Sequence, residues 1–122
     1  KNRMKKFYFL SSCNTCQRIL DHLDLGAEFE LQDIIKTPIS SYELEKLKEI
    51  SGSYEALFSK RAKLYQDLGL KDKSLDEDGY KNYILEHYTF LKRPVLVLNG
   101  QLFVGNSSKV INSAKTAILN EK

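Results

Sequence analysis

Apolar residues recur along the chain with two different periods, and the switches between them mark out its elements. "KFYFL" (6 to 10) is an aromatic-rich apolar run of strand length, as expected of a buried strand. From Asn14 onward Ile19, Leu20 and Leu23 return at helical spacing, and Gly26 supplies a stop signal after Leu25. "EFELQDI" (28 to 34) alternates apolar and polar positions and predicts a second strand. A strand-helix-strand unit this short implies parallel pairing with a right-handed crossover.

Residues 40 to 92 carry a helical pattern. Ser40 and Glu43 form a capping-box pair ahead of Leu44, Leu47 and Ile50, and Ser74 and Glu77 repeat it ahead of Tyr80, Tyr83 and Ile84. Between them "YEALFSKRAKLYQDLGL" predicts two short helices joined by a turn around Lys60, the second ending at Gly69. After Pro94, "VLVL" reads as a buried strand, Asn99-Gly100 as a two-residue hairpin turn and "QLFV" as the returning strand. Ser107 or Ser108 then caps a last helix that aligns Val110, Ile111, Ala114, Ala117 and Ile118 on one face. The order is β-α-β, a helical block, then β-β-α. Without repeats or linkers, residues 1–122 are expected to form one domain, with the helical block (about 40–92) as an insertion.

Composition narrows the possible functions. The 122 residues, 42% apolar with 7 Tyr and 6 Phe, supply one ordinary core. A net charge of +3, spread as alternating Lys and Glu, gives little support to direct nucleic-acid binding. The apolar runs are too short to span a bilayer and no leader pattern opens the sequence, so a soluble, cytoplasmic protein is expected.

The two cysteines, Cys13 and Cys16, stand in "SSCNTCQRIL" between the first strand and the first helix. A bridge across so small a loop would restrain the unfolded chain little, so chemistry explains the pair better than stapling. In open α/β sheets the carboxyl end of the strands is where reactive groups collect. Backbone N–H groups at a helix N-terminus stabilise a thiolate, which is the nucleophilic form of cysteine. Cys13 is placed at the cap and Cys16 one turn inside, near enough to resolve an adduct on Cys13 as an intramolecular disulfide. The simpler alternative is that Cys16 is a small core residue and only Cys13 reacts. Zinc would need two more ligands, and His22 and His87 lie away from the pair, so no metal is expected. Joined to the flanking strand, helix and later hairpin, the C-x-x-C predicts an α/β, thioredoxin-like fold of the glutaredoxin type, with a four-stranded mixed sheet.

"KRP" (92 to 94) would bring Arg93 near the reactive sulfur if Pro94 follows a cis peptide; otherwise Arg93 is an ordinary surface cation. Arg61 in "SKRAKLY" could hold an oxyanion or a glutathione carboxylate, or belong to a solvated basic patch. Gly105 supplies a permissive turn before the last helix.

Together, "CNTC", "SKRAKLYQDLGL", "LKRPVLV" and "LFVGNSSKVI" resemble the ArsC/Spx family over nearly the whole chain. The resemblance implies that Cys13 is the reactive cysteine, Cys16 its partner, Arg93 the Arg before the cis proline and Pro94 that proline. It further implies substrate contacts from Arg61, Pro94 and Gly105, no bound cofactor, and electrons from glutathione, glutaredoxin or thioredoxin. Arsenate reductases of the family surround the anion with arginines and a histidine, whereas here Gln17, Phe9 and Ser59 stand at three such places. Arg18, one residue after Gln17, points about 100° away on a helix. An anion that highly charged needs several donors, which argues against arsenate. The expected activity is a thiol-disulfide oxidoreductase. The other branch of the family implies a redox-switched regulator that binds the C-terminal domain of the RNA polymerase α subunit, with Gly52 near the contact.

Overall fold

The computed structural model describes residues 3–121. The chain divides into two compact units, one running up to Thr37 and resuming at Arg93, the other spanning Pro38–Lys92.

The first unit contains strands β1 (Lys5–Phe9), β2 (Glu30–Asp33), β3 (Val95–Leu98) and β4 (Gln101–Val104) and helices α1 (Asn14–Leu23) and α2 (Ser108–Asn120). The strands form one mixed sheet in the order β2-β1-β3-β4. β1 pairs parallel with β2 (Phe7↔Leu31) and antiparallel with β3 (Phe7↔Leu96), and β3 pairs antiparallel with β4 (Leu96↔Phe103). This is the expected thioredoxin-like arrangement. Phe7, Tyr8 and all four residues of β3 are buried, which is why the two central strands are continuous apolar runs. The Asn99-Gly100 turn has both residues at positive φ (48° and 88°), matching the right-handed twist of the flanking strands. α2 starts on Ser107, whose Oγ accepts the Val110 N–H at 3.2 Å, and buries Ala114 and Ile118. Its Lys115 Nζ donates to the carbonyls of His22 (2.9 Å) and Leu23 (3.3 Å), closing the end of α1 with a cation.

Two details of this unit differ from expectation. α1 stops at Leu23, before Gly26, because Asp24 adopts the left-handed conformation (φ 52°) and returns its N–H to the Leu20 carbonyl; Asp tolerates that region better than most residues. β2 inverts the simple reading of its alternation, for Leu31 is 48% exposed and Gln32 only 6%. Gln32 meets the cost of burial by donating its Nε2 to the Thr37 carbonyl at 2.8 Å.

The second unit contains helices α3 (Ser41–Ser51), α4 (Lys63–Asp67) and α5 (Glu77–Glu86) with short 3₁₀ turns at Glu55–Leu57, Leu70–Asp72 and Tyr88–Phe90. The Ser40–Glu43 capping box is complete, with both hydrogen bonds at 3.0 Å, and Leu44 and Leu47 are buried beneath it. The second capping box does not form. Asp76 caps α5 through the Gly79 N–H (2.8 Å), which frees Glu77 to accept the N–H groups of Tyr54 (2.6 Å) and Glu55 (3.2 Å). Phe58 stacks on Phe90 at 5.1 Å and meets Tyr80 edge-on at 4.9 Å.

Candidate active site

Register brings four chain segments to one edge of the sheet. β1 ends at Phe9 opposite Asp33, the last residue of β2, and the Ile34 N–H donates to the Phe9 carbonyl at 3.0 Å. β3 runs the other way, so its first residue, Val95, pairs with Tyr8 and Pro94 arrives beside the end of β1. β4 returns to the same level, and the Gly105 N–H donates to the Pro94 carbonyl at 2.9 Å. Gly105 has φ 94°, a conformation that disfavours residues with a Cβ. The Arg93–Pro94 peptide is cis. The cysteine turn leaves β1 at this edge.

The turn is closed by the Cys13 N–H donating to the Leu10 carbonyl at 3.1 Å. Cys13 is the N-cap of α1, with an extended backbone (φ −98°, ψ 115°) and a carbonyl that accepts the Gln17 N–H at 3.1 Å. It is half-buried, while Cys16 is 1% exposed, and neither forms a disulfide.

Position separates the two thiols. Burial by itself would raise the Cys13 thiol, but the Cys16 N–H and thiol, the Thr15 N–H and the positive charge of Arg93 together bring it below its ordinary value. Burial pushes the Cys16 thiol up to about 11, against the pull of the Leu10 N–H and with further upward push from Cys13. Cys13 therefore ionises more readily than an ordinary thiol, while Cys16 holds its proton at neutral pH. The arrangement suits nucleophilic attack by Cys13, with a protonated thiol in reserve.

Of the residues singled out in the sequence, Cys13, Cys16, Arg93, Pro94 and Gly105 lie in the first unit, and the sheet register gathers Pro94 and Gly105 at the end of the strand that feeds the cysteine turn. Arg93 is half-buried, and its charge acts on both thiols. Arg61 belongs to the second unit, exposed on the Lys60-Arg61 turn before α4. Gly52, also there, closes α3 in the left-handed conformation. The Arg18 guanidinium reaches back along α1 to the Thr15 hydroxyl at 3.4 Å. Ser11 and Asp33, which belong to no motif in the sequence, hydrogen-bond through their side chains at this edge. Asp33 ends the strand parallel to β1, opposite Phe9, and this register sets it beside the cysteine turn.

Among the described residues, no three His, Cys, Asp or Glu side chains gather as metal ligands, and no helix is long and apolar enough to cross a membrane. His87 Nδ1 accepts the Thr89 N–H at 3.2 Å and lies 2.9 Å from its hydroxyl.

The ArsC family model matches residues 8–114. An arsenate reductase of Neisseria meningitidis serogroup A is 30% identical over 103 residues, covering 82% of this chain and 88% of that protein. The global transcriptional regulator Spx 2 of Bacillus anthracis is 24% identical over 111 residues, covering 88% of this chain and 84% of its own. The solved structure of an arsenate reductase from Vibrio cholerae superposes with a TM-score of 0.73 over 98% of both chains at 22% identity, a likeness of fold.

Proposed function

The chain belongs to the ArsC family, and on that premise we propose that it is a cytoplasmic thiol-disulfide oxidoreductase working through Cys13 and Cys16. The observation that carries this reading is the placement of the two sulfurs, Cys13 half-buried at the N-cap of α1 and Cys16 one turn inside and 1% exposed, with the first thiol lowered and the second raised to about 11. The Cys13 thiolate attacks one sulfur of an oxidised substrate, the substrate disulfide breaks, and the departing thiolate takes a proton from solvent. Cys16 then loses its proton and attacks the Cys13 sulfur, expelling the second substrate thiol and leaving a Cys13–Cys16 disulfide. Two glutathione thiols, or the dithiol of glutaredoxin or thioredoxin, return the two electrons.

Arg93 stabilises the thiolate in this scheme, and Pro94 and Gly105 shape the substrate-facing backbone. The proposal stops short of arsenate, because Phe9, Gln17 and Ser59 carry no cation with which to hold a tetrahedral oxyanion. NADPH consumption coupled through glutathione plus glutaredoxin, and separately through thioredoxin, tests it with a small disulfide and with arsenate. Turnover of the disulfide that disappears in Cys13→Ser is expected; equal rates in the two proteins would refute the reading.

The likeness to Spx 2 favours a second reading, in which the same disulfide controls an interface for the RNA polymerase α C-terminal domain. A pull-down of that domain by reduced and by oxidised protein decides it, and no binding in either state would remove it.

A further inference from the structure

α1 begins on a weak cap. Its N-cap is Cys13, whose sulfur is a weaker acceptor for the Thr15 and Cys16 amides than the side-chain oxygen of Ser, Thr, Asp or Asn would be at that place. The segment entering the helix, Ser11 and Ser12, is exposed. Beyond the Cys13 N–H bond to the Leu10 carbonyl, a contact from outside α1 would help to keep Cys13 aligned with the amides of Thr15 and Cys16.

Asp33 supplies that hold. Its Oδ2 accepts the Ser11 hydroxyl at 2.5 Å and its Oδ1 accepts the Ile35 N–H at 3.1 Å. The Asp33 backbone is itself fixed, since it pairs with Phe9, its carbonyl accepts the Thr37 N–H at 2.8 Å, and Gln32 closes on the Thr37 carbonyl. A rigid strand end therefore grips a loop that lies two residues before the sulfur. We propose that Asp33 is a positioning residue for Cys13, anchoring the Ser11 hydroxyl so that the β1–α1 loop presents the sulfur to the helix amides. This rests on reading Cys13 as the nucleophile.

The groups that act most on the Cys13 thiol are the Cys16 and Thr15 donors and Arg93, not Asp33, so the carboxylate works through the loop rather than through its charge. The Ser11 hydroxyl, followed by the Ile35 and Ser11 N–H groups, holds the Asp33 carboxyl below its usual range against the upward push of desolvation. The tether is thus fully formed at neutral pH.

The test follows the pH dependence of Cys13 alkylation by iodoacetamide, with the modified site read by mass spectrometry, in wild type, Asp33→Ala, Asp33→Asn, Ser11→Ala and the Ser11→Ala/Asp33→Ala double variant. Asp33→Ala and Ser11→Ala are expected to raise the midpoint by roughly half to one unit and slow alkylation at neutral pH about 3- to 10-fold. Asp33→Asn, which keeps an oxygen acceptor, recovers most of the rate. The double variant is no slower than either single one, as for two partners in one contact. Midpoints of both single variants within about 0.2 units of wild type, or effects that add in the double variant, would overturn the proposal. Should Asp33→Ala fail to fold, Ser11→Ala decides the matter, since it removes only an exposed hydroxyl. A wild-type Cys13 that alkylates no faster than an unstructured thiol would instead refute the nucleophile reading, a result distinct from an unchanged Ser11→Ala.

Discussion

The sheet unit and the helical unit use polar groups in opposite ways. In the helical unit they are matched to one another: the Ser40–Glu43 box, Asp76 on Gly79, Glu77 on two amides, and Lys60 paired with Glu55 at 2.8 Å while Tyr80 donates to the same carboxylate at 3.3 Å. Aromatic packing around Phe58 closes what remains. In the sheet unit a soft nucleophile occupies the N-cap of α1, where a hydroxyl or carboxylate would serve stability better. Its compensation comes from Asp33 and Arg93 on other strands and loops. A place where a local rule is broken and the repair comes from elsewhere is where function is expected.

The largest effect that would break this contrast is on stability. Phe58→Ala removes a ring that is almost fully buried and stacked on Phe90, and should cost about 3–5 kcal/mol in urea unfolding. Below the unfolding transition the pH profile of Cys13 alkylation should stay as in wild type. A profile that shifts with Phe58 would show that the two kinds of region are not separate in function.

The Cys16 thiol gives the next largest effect. Burial raises it from 9.0 to about 11, so the folded protein holds this proton more tightly than the unfolded chain does. Its contribution is present in full below about pH 9 and lost as pH rises through about 11. Two units correspond to about 2–3 kcal/mol, which reduced wild type should lose over that window by urea titration and Cys16→Ala should not. Parallel losses in both proteins would place the alkaline sensitivity on other groups.

Glu77→Ala should have the smallest effect, about 1–2 kcal/mol, because the partly buried Tyr54 amide and its neighbour lose one shared acceptor. Glu77→Gln, which keeps one acceptor oxygen, should fall between the two in thermal unfolding. An alanine variant as stable as wild type would mean that solvent replaces the carboxylate without loss.

Most of the fold was legible because it rests on short-range signals. The buried β3 run, the Asn99-Gly100 turn and the Ser40 box each announce themselves within a few residues. What escaped depends on distant partners. Ser74-Glu77 has the form of a capping box, yet Glu77 is taken up by amides more than 20 residues away and Asp76 becomes the cap. Gln32 is buried because Thr37 offers it a carbonyl, and Asp24 ends α1 ahead of the glycine that the pattern favoured. At the site, the Cys13–Cys16 spacing and Pro94 could be read directly, but Asp33 could not, since only the register of β2 on β1 sets it beside Ser11.

The most direct test of the account is to alkylate reduced wild type across pH 5 to 11 and follow each cysteine separately by mass spectrometry. Cys13 should react alone in the folded protein, with a midpoint below the ordinary thiol value of 9.0, while Cys16 resists until the protein unfolds or pH nears 11. Equal reaction of both cysteines, with midpoints at the ordinary value, would contradict it.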